Sequence, residues 1–352
     1  FSGIIRRNHL RIFEFTPRFR MGRKPKDSEI GCWFISTVIL MATISCLVVY
    51  VCFSVAFRPG VSVPALDPDR DVGRVLEEGE SCCSGIEHLE LWGDVVKWGS
   101  DFRVNSSKEC CRACRAMCRD EDAPCACDSW VFCGNKKACG SHFGECWLKK
   151  QKDSLGPVRR EAGDHVSWTS GLIFGKEVGI VGLETGYGMI RIKLLPDRAP
   201  HSVSYILEVL TSKHCLDCHF YRAEGRGGSW DEEGKHIKNA PFGPPFALVQ
   251  GVLQAGVVTE IPKESEKCPG IERGSVGWVS HGPEFFISLA DHHEWRNQYT
   301  VFGSVVAGDM GMVEEMVQQE TEADTWDGIS VRMLKKPIPL RFKRIKPRPT
   351  AL

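Results

Sequence analysis

The longest uninterrupted apolar stretch of the chain covers residues 30–57, IGCWFISTVILMATISCLVVYVCFSVAF, and contains no charged side chain. About 20 apolar residues cross the hydrocarbon core of a bilayer as a helix, so this stretch predicts one transmembrane helix. Lys and Arg are more frequent just before the stretch than just after it, and such an excess marks the cytoplasmic side. We therefore expect a single-pass type II signal anchor, with a basic cytoplasmic tail at residues 1–29.

The type II orientation places everything after residue 57 in the lumen of the endoplasmic reticulum or Golgi, or at the cell surface. The alternatives are a cleaved signal peptide, whose apolar region spans only about 7–15 residues, and a buried helix of a soluble domain. Met21 opens MGRKPKDSEIG directly before the apolar stretch and is a candidate start, in which case residues 1–20 are upstream sequence. Residues 58–80 show neither a helical nor a strand period and are interpreted as a stalk.

Residues 81–172 are expected to form a cysteine-rich domain, because eleven of the 17 cysteines lie between Cys82 and Cys146. Within it, Ser106 and Glu109 have the spacing of a capping box, and the cysteines at 110, 114 and 118 then recur on one helical face. Thiols at such spacings form either disulfides or a zinc site. An oxidising compartment favours disulfides, so we expect no metal. The odd number leaves one cysteine free or bridged elsewhere.

The segments SSKECCRACRAMC, DSWVFC, GECWLKK and VSWTSG resemble a PAN/Apple module. The resemblance implies a small disulfide-rich α+β domain that binds a protein or a carbohydrate. The alternative is a disulfide-stapled spacer without a ligand. Asn105 begins an N-glycosylation sequon that the expected topology exposes to glycosylation. The polar residues 149–163 are interpreted as a linker.

After residue 172 the pattern changes to short strands and two amphipathic helices. Residues 189–194 alternate Ile and Leu with other residues, which is the period of a half-buried strand. A helix is predicted to begin at Pro200, with apolar residues on one face. A second helix is predicted at 310–319, and further strand-like runs are 247–252, 274–279, 284–289 and 300–306. This mainly β pattern predicts a barrel or a sandwich with helical caps.

Residues 173–347 resemble the cyclophilin family of peptidyl-prolyl isomerases, and a short tail follows at 348–352. The resemblance is carried, in family order, by GMIRIKLLPDRAPHSVSYILEVL, FYR (220–222), VQG (249–251), EFFI (284–287), EW (294–295) and VFG (301–303). It implies an eight-stranded antiparallel barrel capped by two helices. It also implies isomerisation of X-Pro bonds in proline-containing clients of the secretory pathway, without a cofactor.

The chemistry explains why the family needs these residue types. Rotation about an X-Pro bond must overcome amide resonance, a barrier of about 18–20 kcal/mol. A guanidinium aimed at the proline nitrogen favours the twisted state, while an apolar pocket holds the ring. The resemblance assigns the guanidinium to Arg222. It assigns substrate binding to Gln250, Phe286, Trp295 and, in place of a pocket phenylalanine, Phe246 or Ala247.

Three departures from the family favour a second hypothesis. Tyr299 stands where most active members have a histidine, and Glu284 stands where they have a glutamine, so both belong to a rebuilt substrate-binding rim. An insertion occupies residues 223–245, and its Trp230 or Phe242 is expected to lie across the groove. The isomerase hypothesis therefore has an alternative, a non-catalytic proline-peptide-binding, adhesion or scaffold protein.

The charge balance and one further cysteine motif bear on possible nucleic-acid, haem or metal partners. Lys plus Arg and Asp plus Glu both number 45, and such a balance gives no strong field for a nucleic acid. No nucleic-acid partner is therefore expected. Cys215, Cys218 and His219 have the spacing of a c-type haem attachment, for which a metal site, a local disulfide and unpaired thiols are the alternatives.

Overall fold

The structure is a computed structural model in which all described residues beyond the first 70 belong to one compact unit. It describes residues 82–118, 125–212, 215, 217–253, 270–295 and 298–345, together with Met41 and Ser45, which are helical. Apart from those two, the expected anchor at 30–57 lies outside the described residues. Among the described residues, no helix is long and apolar enough to cross a membrane.

The cysteine-rich part is built from short strands and two short helices. They are β1 (Leu89–Trp92), β2 (Asp94–Lys97), α1 (Ser107–Arg115), β3 (Ser129–Cys133), α2 (Lys136–Cys139), β4 (Cys146–Lys150), β5 (Val158–Ala162) and β6 (Trp168–Leu172). An antiparallel sheet has the order β2-β4-β3-β6, and β1 pairs with β5. The interpretation of 149–163 as a linker is wrong, because these residues complete β4 and form β5.

Helix α1 begins at a cap and presents cysteines to the core. The Ser106 hydroxyl accepts a hydrogen bond from the Glu109 N–H (3.2 Å), and the Glu109 carboxylate accepts one from the Asn105 N–H (2.9 Å). Both bonds satisfy backbone donors that a helix start leaves unpaired. Disulfides then join residues 83–111, 110–146, 114–127, 118–125 and 133–139. Cys82 is disulfide-bonded as well.

The remainder of the chain forms a larger antiparallel sheet with two helices. Its elements are β7 (Ile180–Thr185), β8 (Gly188–Leu194), α3 (Pro200–Ser212), β9 (His219–Glu224), β10 (Leu248–Val252), β11 (Ser275–Trp278), β12 (Glu284–Ser288), β13 (Val301–Val305), α4 (Met310–Met316), β14 (Thr321–Trp326), β15 (Ile329–Pro339) and β16 (Arg341–Arg344). Both helices and the strands that the sequence predicted are present within a few residues of their expected bounds.

The closed eight-stranded barrel that we expected is not observed. The described strands pair in the ten-stranded order β14-β15-β9-β10-β12-β11-β13-β8-β7-β16. Only Leu340 separates β15 from β16, so one run of chain pairs with β9 at its start and with β7 at its end. The fold is therefore mainly β and helix-poor, as predicted, but its strand number and closure differ from the expectation.

One hydrophobic cluster extends across the two predicted domains, and the cysteine-rich part has a second cluster of its own. Buried side chains of β8 and α3, such as Ile192 and Ile206, belong to the same cluster as Leu89, Leu91 and Leu172 of the cysteine-rich part. Arg159 of β5 donates to Glu208 of α3 at 2.8 Å across the same contact. Removing the cysteine-rich part would expose this apolar surface to water, which is unfavourable. Experiments on the larger sheet therefore use the full chain.

Candidate functional site

Three neighbouring strands bring the central predicted residues into one row. Arg222 of β9 lies opposite Gln250 of β10, and Gln250 lies opposite Phe286 of β12. Residues directly opposite one another across a sheet share a face. Arg222 Nη1 donates a hydrogen bond of 2.9 Å to Gln250 Oε1. The row therefore places a guanidinium, an amide and an aromatic ring side by side.

A β-bulge adds Tyr221, a residue for which the sequence analysis predicted no role. Arg222 and Phe220 pair with successive residues of β10, so Tyr221 between them is the extra residue of the bulge. Its hydroxyl accepts a hydrogen bond from Gln250 Nε2. Burial, reinforced by the interaction with Glu284, raises the pKa of Tyr221. The phenol therefore stays protonated at neutral pH.

Arg222 is buried and held by a second residue that the sequence analysis missed, Glu224. Its Nε donates a hydrogen bond of 2.9 Å to Glu224 Oε1, and the Glu224 side chain is fully buried. The same carboxylate accepts hydrogen bonds from the Phe246 N–H (2.6 Å) and the Arg332 N–H (3.0 Å). A buried charge needs such a partner and such hydrogen bonds to be tolerated. The period-2 alternation of β9, which places both side chains on one face, is the signal that could have found Glu224.

Aromatic side chains surround the guanidinium. Its Cζ lies 5.6 Å from the Phe246 ring centroid and 5.1 Å from that of Trp326. Both distances are within the range of a cation–π contact. Of the two residues predicted for this position, Phe246 contacts the guanidinium, whereas Ala247 is fully buried. Trp326 was not predicted, because the sequence analysis predicted no strand where β14 lies.

The remaining aromatic rings form one cluster around Phe286. Phe286 is buried, and its ring centroid lies 5.8 Å from that of Trp295 and 5.3 Å from that of Tyr299. The Trp295 and Tyr299 rings are 5.2 Å apart, and Phe246 lies 6.5 Å from Trp295. The structure thus brings together the residues predicted for catalysis and substrate binding, with Glu284 on the same face of β12 as Phe286.

The insertion supports Trp295 instead of covering the groove. Trp230 is buried, donates a hydrogen bond of 3.1 Å to the Asp291 carbonyl and contacts His292 at 4.9 Å. His292 in turn stacks on Trp295 at 3.6 Å with parallel planes. Phe242 is half exposed and stacks on the neighbouring ring of residue 236. The expectation that Trp230 or Phe242 lies across the groove is therefore wrong.

His292 is a buried histidine for which the sequence analysis predicted no role. Its side chain is fully buried, and its Nδ1 lies 2.6 Å from Glu294 Oε1. Burial lowers the pKa of His292, an effect that outweighs the opposing hydrogen bond and charge of Glu294. The ring is therefore neutral at pH 7, so Glu294 is not neutralised by it. This residue could not be assigned from sequence because the insertion that buries it has no family counterpart.

The remaining predicted sites are the Cys215–Cys218 motif and the Asn105 glycosylation sequon. Cys215 and Cys218 form a disulfide, which accounts for their haem-like spacing. In the described part of the chain, no cluster of three or more His, Cys, Asp or Glu residues could hold a metal ion. Asn105 is exposed directly before α1, and its glycosylation stays a prediction.

Comparison with known families identifies the part of the chain that carries this site. Residues 180–336 match the family model described as cyclophilin type peptidyl-prolyl cis-trans isomerase/CLD. The match runs from β7 into β15 and includes the Arg222, Gln250 and Phe286 row, although it covers less than half of the 352 residues. A comparison with curated proteins found no significant match.

Two solved structures are similar to this part of the chain. Both are described as a cyclophilin type peptidyl-prolyl cis-trans isomerase of Cryptosporidium parvum, and the second was determined in the presence of the dipeptide Ala-Pro. Each is 13% identical to this chain. The first covers 46% of this chain and 97% of its own, with a TM-score of 0.30. The second covers 45% and 97%, with a TM-score of 0.29.

Proposed function

We propose that the cyclophilin-type domain of residues 180–336 catalyses the cis-trans isomerisation of X-Pro peptide bonds. The observation that carries this proposal is the placement of the Arg222 guanidinium beside a cluster of aromatic side chains, Phe246, Phe286 and Trp295. A charged donor next to a dry pocket for a proline ring is what this reaction requires. The family-model match supports the same reaction.

The catalytic step needs no nucleophile and no cofactor. As the X-Pro amide twists, its nitrogen lone pair localises, and a positive donor near that nitrogen stabilises the twisted state more than either planar state. Nε and Nη1 of Arg222 bind Glu224 and Gln250, whereas its Nη2 forms no hydrogen bond within the described residues. Nη2 is therefore the atom that would donate to the substrate nitrogen.

The surrounding residues have binding and positioning roles in this proposal. Phe286 forms the floor of the proline pocket, and Trp295, Tyr299 and Phe246 form its walls. The Gln250 amide is fixed by bonds to Arg222 and Tyr221, so it can orient a substrate carbonyl with little further loss of side-chain entropy.

The direct test is isomerisation of a single-proline peptide by the full chain. Uncatalysed exchange takes tens to hundreds of seconds at about 25 °C, so NMR exchange spectroscopy should detect a clear acceleration at micromolar protein. If the peptide binds but its exchange rate does not change, the non-catalytic binding alternative replaces the isomerase. The buried pairing of Arg222 with Glu224 is the observation that favours this alternative, because the carboxylate partly offsets the guanidinium charge.

We also propose that the protein is a type II membrane protein of the secretory pathway or cell surface, acting on X-Pro segments of proteins there. The apolar stretch at 30–57 and its basic flank support the anchor. The disulfides of the cysteine-rich part support an oxidising compartment. In this proposal the cysteine-rich part is a PAN/Apple-like module, anchored by the membrane helix, that binds a protein or carbohydrate ligand.

This topology predicts protection of the folded part from protease. When the full-length protein is inserted into sealed microsomes, added protease should cleave the basic tail before residue 30 and spare residues 58–352. An antibody against the carboxyl end should detect the protected fragment, and detergent should abolish the protection. Digestion of the carboxyl end without detergent would reverse the orientation and remove the argument from an oxidising lumen.

A further inference from the structure

The rim of the proposed site contains an exposed carboxylate, Glu284. It lies on β12 two residues before Phe286, so the two side chains point to the same face of the sheet. Two residues along a strand span about 6.6–6.8 Å. A group one residue away from a proline seated on Phe286 is therefore within reach of the Glu284 carboxylate.

Glu284 lies near the end of a hydrogen-bonded chain. Arg222 Nη1 donates to Gln250 Oε1, and Gln250 Nε2 donates to the Tyr221 oxygen. The Glu284 carboxylate interacts electrostatically with the Tyr221 hydroxyl, whose pKa is raised by burial and then by Glu284. The exposed carboxylate therefore lies beside the Tyr221 end of the row formed by Arg222, Gln250 and Phe286.

Among the described residues, Glu284 has no positively charged partner. Arg222 is paired with Glu224 at 2.9 Å, and Glu294 faces a neutral His292. No Lys, Arg or His nitrogen of the described residues lies within 4.0 Å of the Glu284 carboxylate. A cation in a bound peptide would therefore not compete with a described cation for this carboxylate.

From this geometry we infer that Glu284 determines substrate specificity, selecting X-Pro segments that have Lys or Arg next to the proline. This inference rests on the proposed function and adds the class of substrate. Glutamine in the related family offers no charge at this position, so the preference would be a property of this chain. Exposed ion pairs contribute little, so we expect a preference of about two- to fivefold at low ionic strength.

The test compares matched single-proline peptides with the full chain. One series carries Lys, Gln or Glu immediately before the proline, and a second series carries them immediately after it. For each peptide, kcat/KM is measured by NMR exchange and Kd by the fluorescence change of the site tryptophans. The variants are Glu284→Gln, Glu284→Lys and the control Glu87→Gln, which removes an exposed charge from the cysteine-rich part.

In at least one series, the wild type and Glu87→Gln should favour Lys over Glu by about two- to fivefold. Glu284→Gln should bring this ratio close to one, Glu284→Lys should invert it, and salt should reduce it in the wild type. Equal values for all peptides, or a preference that Glu284→Gln leaves intact, would overturn the inference while leaving the isomerase proposal standing. If no peptide is isomerised, the proposed activity fails, and the Kd ratios alone then decide whether Glu284 selects cations.

Discussion

Replacing Arg222 with alanine is expected to lower kcat/KM for X-Pro isomerisation by about 10²–10³-fold, since preorganised donors of this kind contribute about 2.7–4 kcal/mol to the transition state. Binding of a proline peptide should weaken much less. The apolar contacts of Phe286 and Trp295 with the ring do not depend on the guanidinium charge, and they act on planar and twisted states alike. The measurement is NMR exchange for the rate and tryptophan fluorescence for Kd, with the full chain.

Two further variants separate chemistry from folding. Arg222→Ala leaves the buried Glu224 carboxylate without its cation, so thermal unfolding must be measured on the same samples. Arg222→Lys retains the charge but lacks the planar guanidinium that donates hydrogen bonds to both Glu224 and Gln250. It should therefore stay folded and recover only part of the rate. Phe286→Ala should impair both rate and binding. A folded Arg222→Ala protein with an unchanged rate would contradict the assignment of Arg222 as the catalytic residue.

The second large effect concerns stability. Glu224→Gln should lower the free energy of unfolding by about 3–5 kcal/mol, because removing one partner of a buried ion pair leaves the other charge uncompensated. The side chains of Arg222 and Glu224 are only 9% and 0% exposed, so solvent screens this pair little. An amide also cannot accept on both of its terminal atoms, whereas the carboxylate accepts from the Phe246 and Arg332 N–H groups through different oxygens. Urea denaturation followed by circular dichroism measures the loss.

The control for this change is Glu232→Gln, which removes an exposed charge from the same insertion. Surface substitutions of this kind usually change the free energy of unfolding by less than about 0.5 kcal/mol. A double variant, Arg222→Met with Glu224→Gln, should lose less stability than the two single variants added together, since it removes both charges. A loss of less than about 1 kcal/mol for Glu224→Gln would show that the pair is more hydrated than its burial indicates.

Several elements could be predicted because their signals are local. The capping residues Ser106 and Glu109 start α1 as expected. Pro200 begins α3, and the alternation of β8 buries Ile190, Ile192 and Leu194. Each signal depends on spacings within one helix or strand, which nearby residues determine. The candidate site residues were named from a family resemblance, and the structure places Arg222, Gln250 and Phe286 in one row beside the aromatic cluster.

Two predictions, the linker at 149–163 and Trp230 lying across the groove, were wrong because both depend on contacts between distant parts of the chain. Residues 149–163 are polar, but they pair with strands far away in sequence, so their composition said nothing about their structure. Trp230 was expected near the groove because it is large and lies in an insertion. It is instead buried against His292, since a tryptophan packs wherever the fold offers apolar contacts and an acceptor for its N–H.

The sequence by itself therefore determined the mainly β class, the disulfide-rich part and the two helices beside the larger sheet, and its family resemblance named Arg222, Gln250 and Phe286. The apolar stretch at 30–57 likewise predicts a membrane anchor from sequence alone. Only the tertiary structure decided the ten-stranded pairing order, the bulge that turns Tyr221 toward Gln250, and the burial of Glu224 beneath Arg222. Register and burial depend on strands that are distant along the chain, and a shift of one residue would move each of these side chains to the opposite face.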